Sequence, residues 1–160
     1  MNPSKEKIVT GQIGEAIRDL TKTVCEKPDN AASWIWRAEA FNAAGKFDLA
    51  RKDALAAVEL APDSSSAWTQ LAVAELKLGC FRKALTVSEQ AVRLNPSNSL
   101  AHYVRFMVLG LMGDQRRALR DLAAAARLNP LSYFRLFMNI RREWSLLRER
   151  AWLTQRPVVP

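Results

Sequence analysis

Four prolines constrain this chain more than any other feature. Pro28, Pro62, Pro96 and Pro130 fall 34 residues apart, and Gly11, Gly45, Gly79 and Gly113 keep the same interval. So do Ala16, Ala50, Ala84 and Ala118. A period between about 20 and 50 residues marks a repeat array, in which one unit cannot bury its apolar face alone and stacks on the next. A chain of this kind has no need of a single central core, so its 160 residues do not have to close into a ball.

Within each period the apolar residues have helical spacing. In the first stretch Ile13, Ile17, Leu20 and Val24 step by four, three and four, and Lys27-Pro28 ends the run. Only ten residues precede Gly11, too few for a full partner helix, with Ile8 and Val9 as its last turn. Residues 1–30 therefore read as a half repeat. Units 31–64, 65–98 and 99–132 each carry two helical faces joined at a glycine that can take positive φ. Ser33 is the expected cap of the first of these helices and Trp34 an expected buried ring. From Tyr133 the stripe Tyr133, Phe137, Ile140, Trp144, Leu147, Ala151 predicts a capping helix over 133–153, started by Ser132, and 154–160 reads as a flexible tail.

Trp34-x-x-Arg37-Ala38-x-x-Phe41 with Gly45, Ala50 and Pro62 resembles the tetratricopeptide repeat, as does Trp68-x-x-Leu71-Ala72 with Gly79, Ala84 and Pro96. The resemblance covers residues 11 to 132. It implies an all-α, right-handed solenoid of antiparallel helix pairs, with about three full units, an N-terminal half repeat and a C-terminal capping helix. Three departures stand out: Glu75 replaces an aromatic residue, His102 stands where Trp34 and Trp68 do, and Phe106 fills a site that Ala38 and Ala72 keep small. The ring of Phe106 predicts a splayed or repacked third unit.

Composition excludes more functions than it suggests. Cys25 and Cys80 lie 55 residues apart in different phases of the repeat, so they make neither a CxxC pair nor a disulfide framework. One histidine, His102, rules out most histidine-based metal sites, and no phosphate-binding glycine loop occurs. The reading is a non-enzyme without cofactor or metal; Cys80, at a turn, is the one candidate accessible thiol. No apolar run is long enough to cross a bilayer. Met1–Thr10 lacks an apolar signal core, which points to the cytoplasm, with a periplasmic protein stripped of its leader as the alternative.

The candidate functional surface follows from the resemblance. In tetratricopeptide proteins the first helices of the pairs line a concave groove that takes up a segment of a partner. The register assigns that groove to Ile35, Trp36, Glu39 and Asn42 in the first unit and Thr69, Gln70, Val73 and Lys77 in the second. Leu100, Tyr103, Val104, Met107 and Leu111 continue it in the third. These phases are expected to be free of the core, and the apolar third unit then reads as an interaction patch or as a surface covered by the capping helix. The lysine, asparagine and arginine clamp with which some family members grip chaperone tails would fall on Ile35, Glu39, Gln70, Leu100 and Val104. None of these is a cation, so that ligand is disfavoured.

Net charge is +8 and is graded along the chain. Basic against acidic residues number five to five over 1–30, then four to five, four to two and five to two in the three units, and six to two from Tyr133. Arg82, Lys83, Arg116, Arg117, Arg141 and Arg148 define a candidate basic surface suited to an acidic protein, with nucleic acid disfavoured because no aromatic residue is interleaved. The leading expectation is a protein-binding adaptor. Self-assembly through the chain ends, giving a homo-oligomer, is the alternative, and binding of nucleic acid or an anionic membrane a third.

Overall fold

The computed structural model describes residues 3–130, which form eight α-helices. A short α1 (Pro3–Val9) is followed by α2 (Ile13–Glu26), α3 (Ala31–Ala43), α4 (Phe47–Leu60), α5 (Ser65–Lys77), α6 (Phe81–Leu94), α7 (Ser99–Leu111) and α8 (Gln115–Leu128). Every boundary from α2 onward recurs 34 residues later, so the period in the sequence is the period of the backbone. The capping helix, the Ser132 cap and the tail lie outside the described residues.

Proline and glycine set these boundaries by separate means. Lys27, Ala61, Asn95 and Asn129 each precede a proline, and each takes φ between −138° and −148°, outside the helical region that the proline ring disfavours for its neighbour. The glycines close the other end of each pair, with φ of 73° at Gly45 and 87° at Gly113. A Cβ built on Gly45 would meet nothing within 4 Å, so the backbone conformation, and not crowding, requires glycine there.

The N-caps also keep the period. Asn30, Ser64 and Asn98 accept hydrogen bonds from the backbone N–H groups of Ala32, Ala67 and Ala101. Ser33 is not the cap: it lies inside α3, fully buried, because Asn30 already satisfies the first turn. Trp34 is half-buried where full burial was expected. Its indole N–H donates to Pro28 O at 2.7 Å, and Trp68 repeats the bond to Pro62 O at 2.8 Å. His102 Nε2 lies 3.0 Å from Pro96 O, so histidine places a ring nitrogen where tryptophan places its indole N–H elsewhere.

Helices pack as antiparallel neighbours, and successive first helices also touch, α3 on α5 and α5 on α7. The second helices α4, α6 and α8 form the outer layer, giving the α-solenoid. Alanines let the backbones approach: Ala38, Ala50, Ala54, Ala57, Ala72, Ala84, Ala91 and Ala101 are all fully buried. The largest apolar cluster joins Leu76, Val104, Phe106, Met107, Val108 and Leu109 with Ala84 and Ala118. Phe106 does not splay the third pair, which packs as closely as the other two. Its ring is absorbed among the small residues Ala84 and Ala118 and lies 5.9 Å from the Tyr103 ring, tilted by 45°.

Candidate functional site

The first helices present a cleft of about 370 Å³ on the inner face of the solenoid. Ile35, Trp36 and Glu39 come to it from α3, Thr69 and Gln70 from α5, and Leu100 from α7. Sequence register assigns all six to the groove. Ala32, Ser64, Ser66 and Asn98, which register does not assign, complete the lining. Two of them could have been found, because Ser64 and Asn98 occupy the N-cap phase, at the mouths of α5 and α7.

The other assigned residues lie elsewhere. Val104 and Met107 are 2% and 1% exposed and belong to the core, and Thr69 and Gln70, though they border the cleft, are only 2% and 7% exposed, contrary to the expectation that these phases are free of the core. The physical reason is the direct contact of α7 with α5, which closes over part of the inner face. Val73, Tyr103 and Leu111 are half-buried against the same cluster, and Lys77 is half-buried. Asn42 is a tie between helices, its amide donating to Gln70 O at 3.1 Å and Gln70 Oε1 at 3.0 Å. That bond fixes the Gln70 side chain on the floor of the cleft.

A second set of hydrogen bonds holds the far wall. Asn98 accepts from Ala101 N and donates through its amide to Ser65 Oγ at 2.9 Å and Thr69 Oγ1 at 3.0 Å. Ser65 in turn donates to Ala91 O, and Thr69 to Ser65 O. Thus one side chain caps α7 and binds it to α5. The rigid rim and floor are neutral, and Glu39 is the sole ionisable residue among the lining. No cation lines the cleft.

Charged groups are buried elsewhere, between the helices of a pair. Arg37 Nε and an Nη donate to the two oxygens of Asp53 at 2.6 and 2.9 Å, with the guanidinium 4.9 Å from the Trp34 ring centroid. Arg105 grips Asp121 in the same way at 2.7 and 2.6 Å, and His102 Nδ1 adds a contact of 2.9 Å. Burial by itself would raise the Asp121 pKa, but the hydrogen bonds from Arg105 and His102 outweigh it and hold the carboxyl below its ordinary value. Sequence reading missed these pairs, although the signal was present. Arg37 and Arg105 share a phase with Leu71, and Asp53 and Asp121 share one with Val87.

His102 is committed to Pro96 O and Asp121. Cys80, expected to be accessible, is half-buried; burial first, and then the neighbouring Glu75 carboxyl, push its thiol up and away from the reactive thiolate. Among the described residues no three His, Cys, Asp or Glu side chains converge, and no helix is long and apolar enough to cross a membrane. Of the candidate basic surface, Arg82, Lys83, Arg116 and Arg117 are exposed, Arg117 being paired with Glu89 at 2.6 Å. Arg141 and Arg148 lie outside the described residues.

Family models described as tetratricopeptide repeat match residues 6–65 and 65–98. No curated protein matches the chain. Among solved structures, TTC0263, a thermophilic TPR protein of Thermus thermophilus, is 21% identical. It aligns over 96% of this chain and 80% of its own with a TM-score of 0.76. The crystal structure of MamA is 18% identical, over 94% of this chain and 91% of that one, at a TM-score of 0.68. The Arabidopsis OM64 TPR domain is also 18% identical, over 71% and 95%, at 0.61. At these identities the likeness is one of fold, and the fold is in general a non-catalytic one that binds proteins. By its repeats, its helix order and these family matches, the chain belongs to the tetratricopeptide repeat family.

Proposed function

We propose that this protein is a non-enzymatic adaptor that holds an extended segment of a partner protein in the inner cleft. The observation that carries the reading is the cleft lining itself. Trp36, Ile35 and Leu100 offer apolar walls, Ser66 offers an exposed hydroxyl, and Thr69, Gln70 and Asn98 form a neutral floor and rim whose hydrogen bonds are largely turned to holding the helices together. Such a surface suits backbone amides and an apolar side chain, and without a cation it offers nothing to a terminal carboxylate. Because Asn42 and Asn98 already fix the floor and rim, the segment would meet a pre-formed site and lose little affinity to ordering of the protein.

The test is selection of peptides from a random display library on the whole chain, followed by calorimetric titration. Selected peptides should bind Trp36→Ala and Leu100→Asp at least about tenfold more weakly than the parent, the cost of losing one buried anchor. Their affinity should not depend on a free C-terminus. Peptides bound equally by both variants, with the helical circular dichroism unchanged, would remove the cleft from the function.

A further inference from the structure

The outer face of the second half of the solenoid carries an array of arginines that the scaffold does not require. On α8 the exposed side reads Arg116, Leu119, Arg120, Ala123, Arg127, the spacing of one helical face, and it includes no acid. The single acid within α8, Asp121, is buried and taken up by Arg105. Arg116 and Arg127 each have an arginine at the same phase on α6, Arg82 and Arg93, both exposed. The two rows therefore cross from one helix to the next. In the first unit those two phases hold Asp48 and Glu59. Identical backbone positions thus tolerate either sign, so packing does not dictate the charge.

Nor do the arginines neutralise one another's neighbours. Exposed helix faces are ordinarily laced with opposite charges, as Lys22 with Glu26 on α2 and Arg51 with Asp48 on α4. Arg116 and Arg120 are instead like charges four residues apart, which repel. The described residues give Arg116, Arg120 and Arg127 no salt-bridge partner, and Glu89, held by Arg117, is the only acid on this face of α6. Leu119, one turn from Arg116 and next to Arg120 in sequence, flanks this arginine row and is 62% exposed.

We infer that this outer face of α6 and α8 docks on a bilayer surface rich in anionic phospholipid. Several arginines on one outer surface match a plane of phosphates, and each such contact adds to attraction that falls off within a Debye length. Leu119 decides between lipid and nucleic acid. An aliphatic side chain between arginines gains by entering the headgroup region, whereas a nucleic-acid backbone gives it nothing to bury against. The exposed positions of α6 and α8 also include no aromatic residue on which a base could stack. This surface is on the opposite side of the helix pairs from the cleft, so loss of one binding activity leaves the other intact.

The test uses the whole chain in co-sedimentation with vesicles of phosphatidylcholine alone and with about one third phosphatidylglycerol. Binding is expected only to the anionic vesicles and should fall steeply with added salt. Arg116→Glu/Arg120→Glu/Arg127→Glu should abolish it, each arginine being worth roughly fivefold. Leu119→Ser, which changes no charge, should weaken it several-fold, while Lys22→Glu on the distant α2 should leave it unchanged. Helical circular dichroism and a duplex DNA competitor accompany each variant. Failure to bind anionic vesicles at low salt overturns the proposal, as does binding that survives the triple variant. Preferential binding of duplex DNA, with Leu119→Ser silent on both ligands, overturns it in favour of nucleic acid.

Discussion

Arg37 with Asp53, and Arg105 with Asp121, sit at phases where the middle unit carries Leu71 with Val87, so one site is filled by an ion pair twice and by aliphatic side chains once. Leu71 is 4% exposed, and Val87 packs against its cluster. The chain thereby contains its own comparison between a buried salt bridge and a hydrophobic equivalent. Desolvation offsets much of the Coulombic gain of such a pair, whereas removing one partner strands the other. Arg37→Leu alone should destabilise by roughly 3–5 kcal/mol, because it leaves the Asp53 carboxylate, 7% exposed, without its cation. Asp53→Val should cost less, since Arg37 keeps its stacking on Trp34 and Phe41. The double variant Arg37→Leu/Asp53→Val, which copies the middle unit, should return to within about 1 kcal/mol of the parent. Urea unfolding of the four proteins measures the coupling; additive losses in the double variant would show that the sites are not equivalent.

At the scale of the helix, most of the structure is readable because its boundaries depend on local chemistry. A proline excludes its predecessor from the helical region, and a glycine admits positive φ, whatever surrounds them. Ser33 shows the limit of local reading. Serine and asparagine both cap helices, and Ser33 and Asn30 are three residues apart, so residue type alone does not choose between them. The period does choose, because Asn30, Ser64 and Asn98 share a phase that Ser33 does not. Burial of Val104 and Met107 belongs to a third kind of information, set by how closely one first helix leans on the next. No spacing within a single helix contains that. Asn98 joins the local and the long-range, which makes its effect separable. Asn98→Ala should cost the cap, about 1 kcal/mol, plus the bonds to Ser65 and Thr69, for a total of roughly 2–3 kcal/mol. Asn98→Asp retains the acceptor for Ala101 N but has no amide to donate, and should fall between the alanine variant and the parent. Asn30→Ala removes a cap whose bond, to Ala32 N, stays within its own turn, and should lose only the first increment. Equal losses for Asn30→Ala and Asn98→Ala in thermal unfolding would mean that the cross-helix bonds contribute nothing.

For the whole molecule, stability in a solenoid is a sum over units and the interfaces between them, so it need not be uniform along the chain. The distribution of apolar contact predicts where it is greatest. The largest cluster unites α5, α6, α7 and α8 and includes Met107, Val108 and Leu109, each at most 2% exposed. At the other end, α1 is seven residues long, and Val9 is 80% exposed. Its tie to α2 includes Lys7, which bonds Asp19 at 2.6 Å across a solvated surface where such pairs contribute little. Local opening requires only the contacts of the opening unit to be lost, and amide hydrogen exchange reports that free energy segment by segment. Protection should therefore be lowest in α1, rise through α2 and α3, and be highest in α5 and α7. The cleft lies across this gradient, its Trp36 wall on the weaker side and its Thr69 and Gln70 floor on the stronger. A bound segment that touches both sides would slow exchange in α3 more than in α5, because α3 has more opening left to suppress. Exchange that is uniform from α2 to α7 would mean that the units open together, and would show a solenoid cooperative beyond what its nearest-neighbour contacts provide.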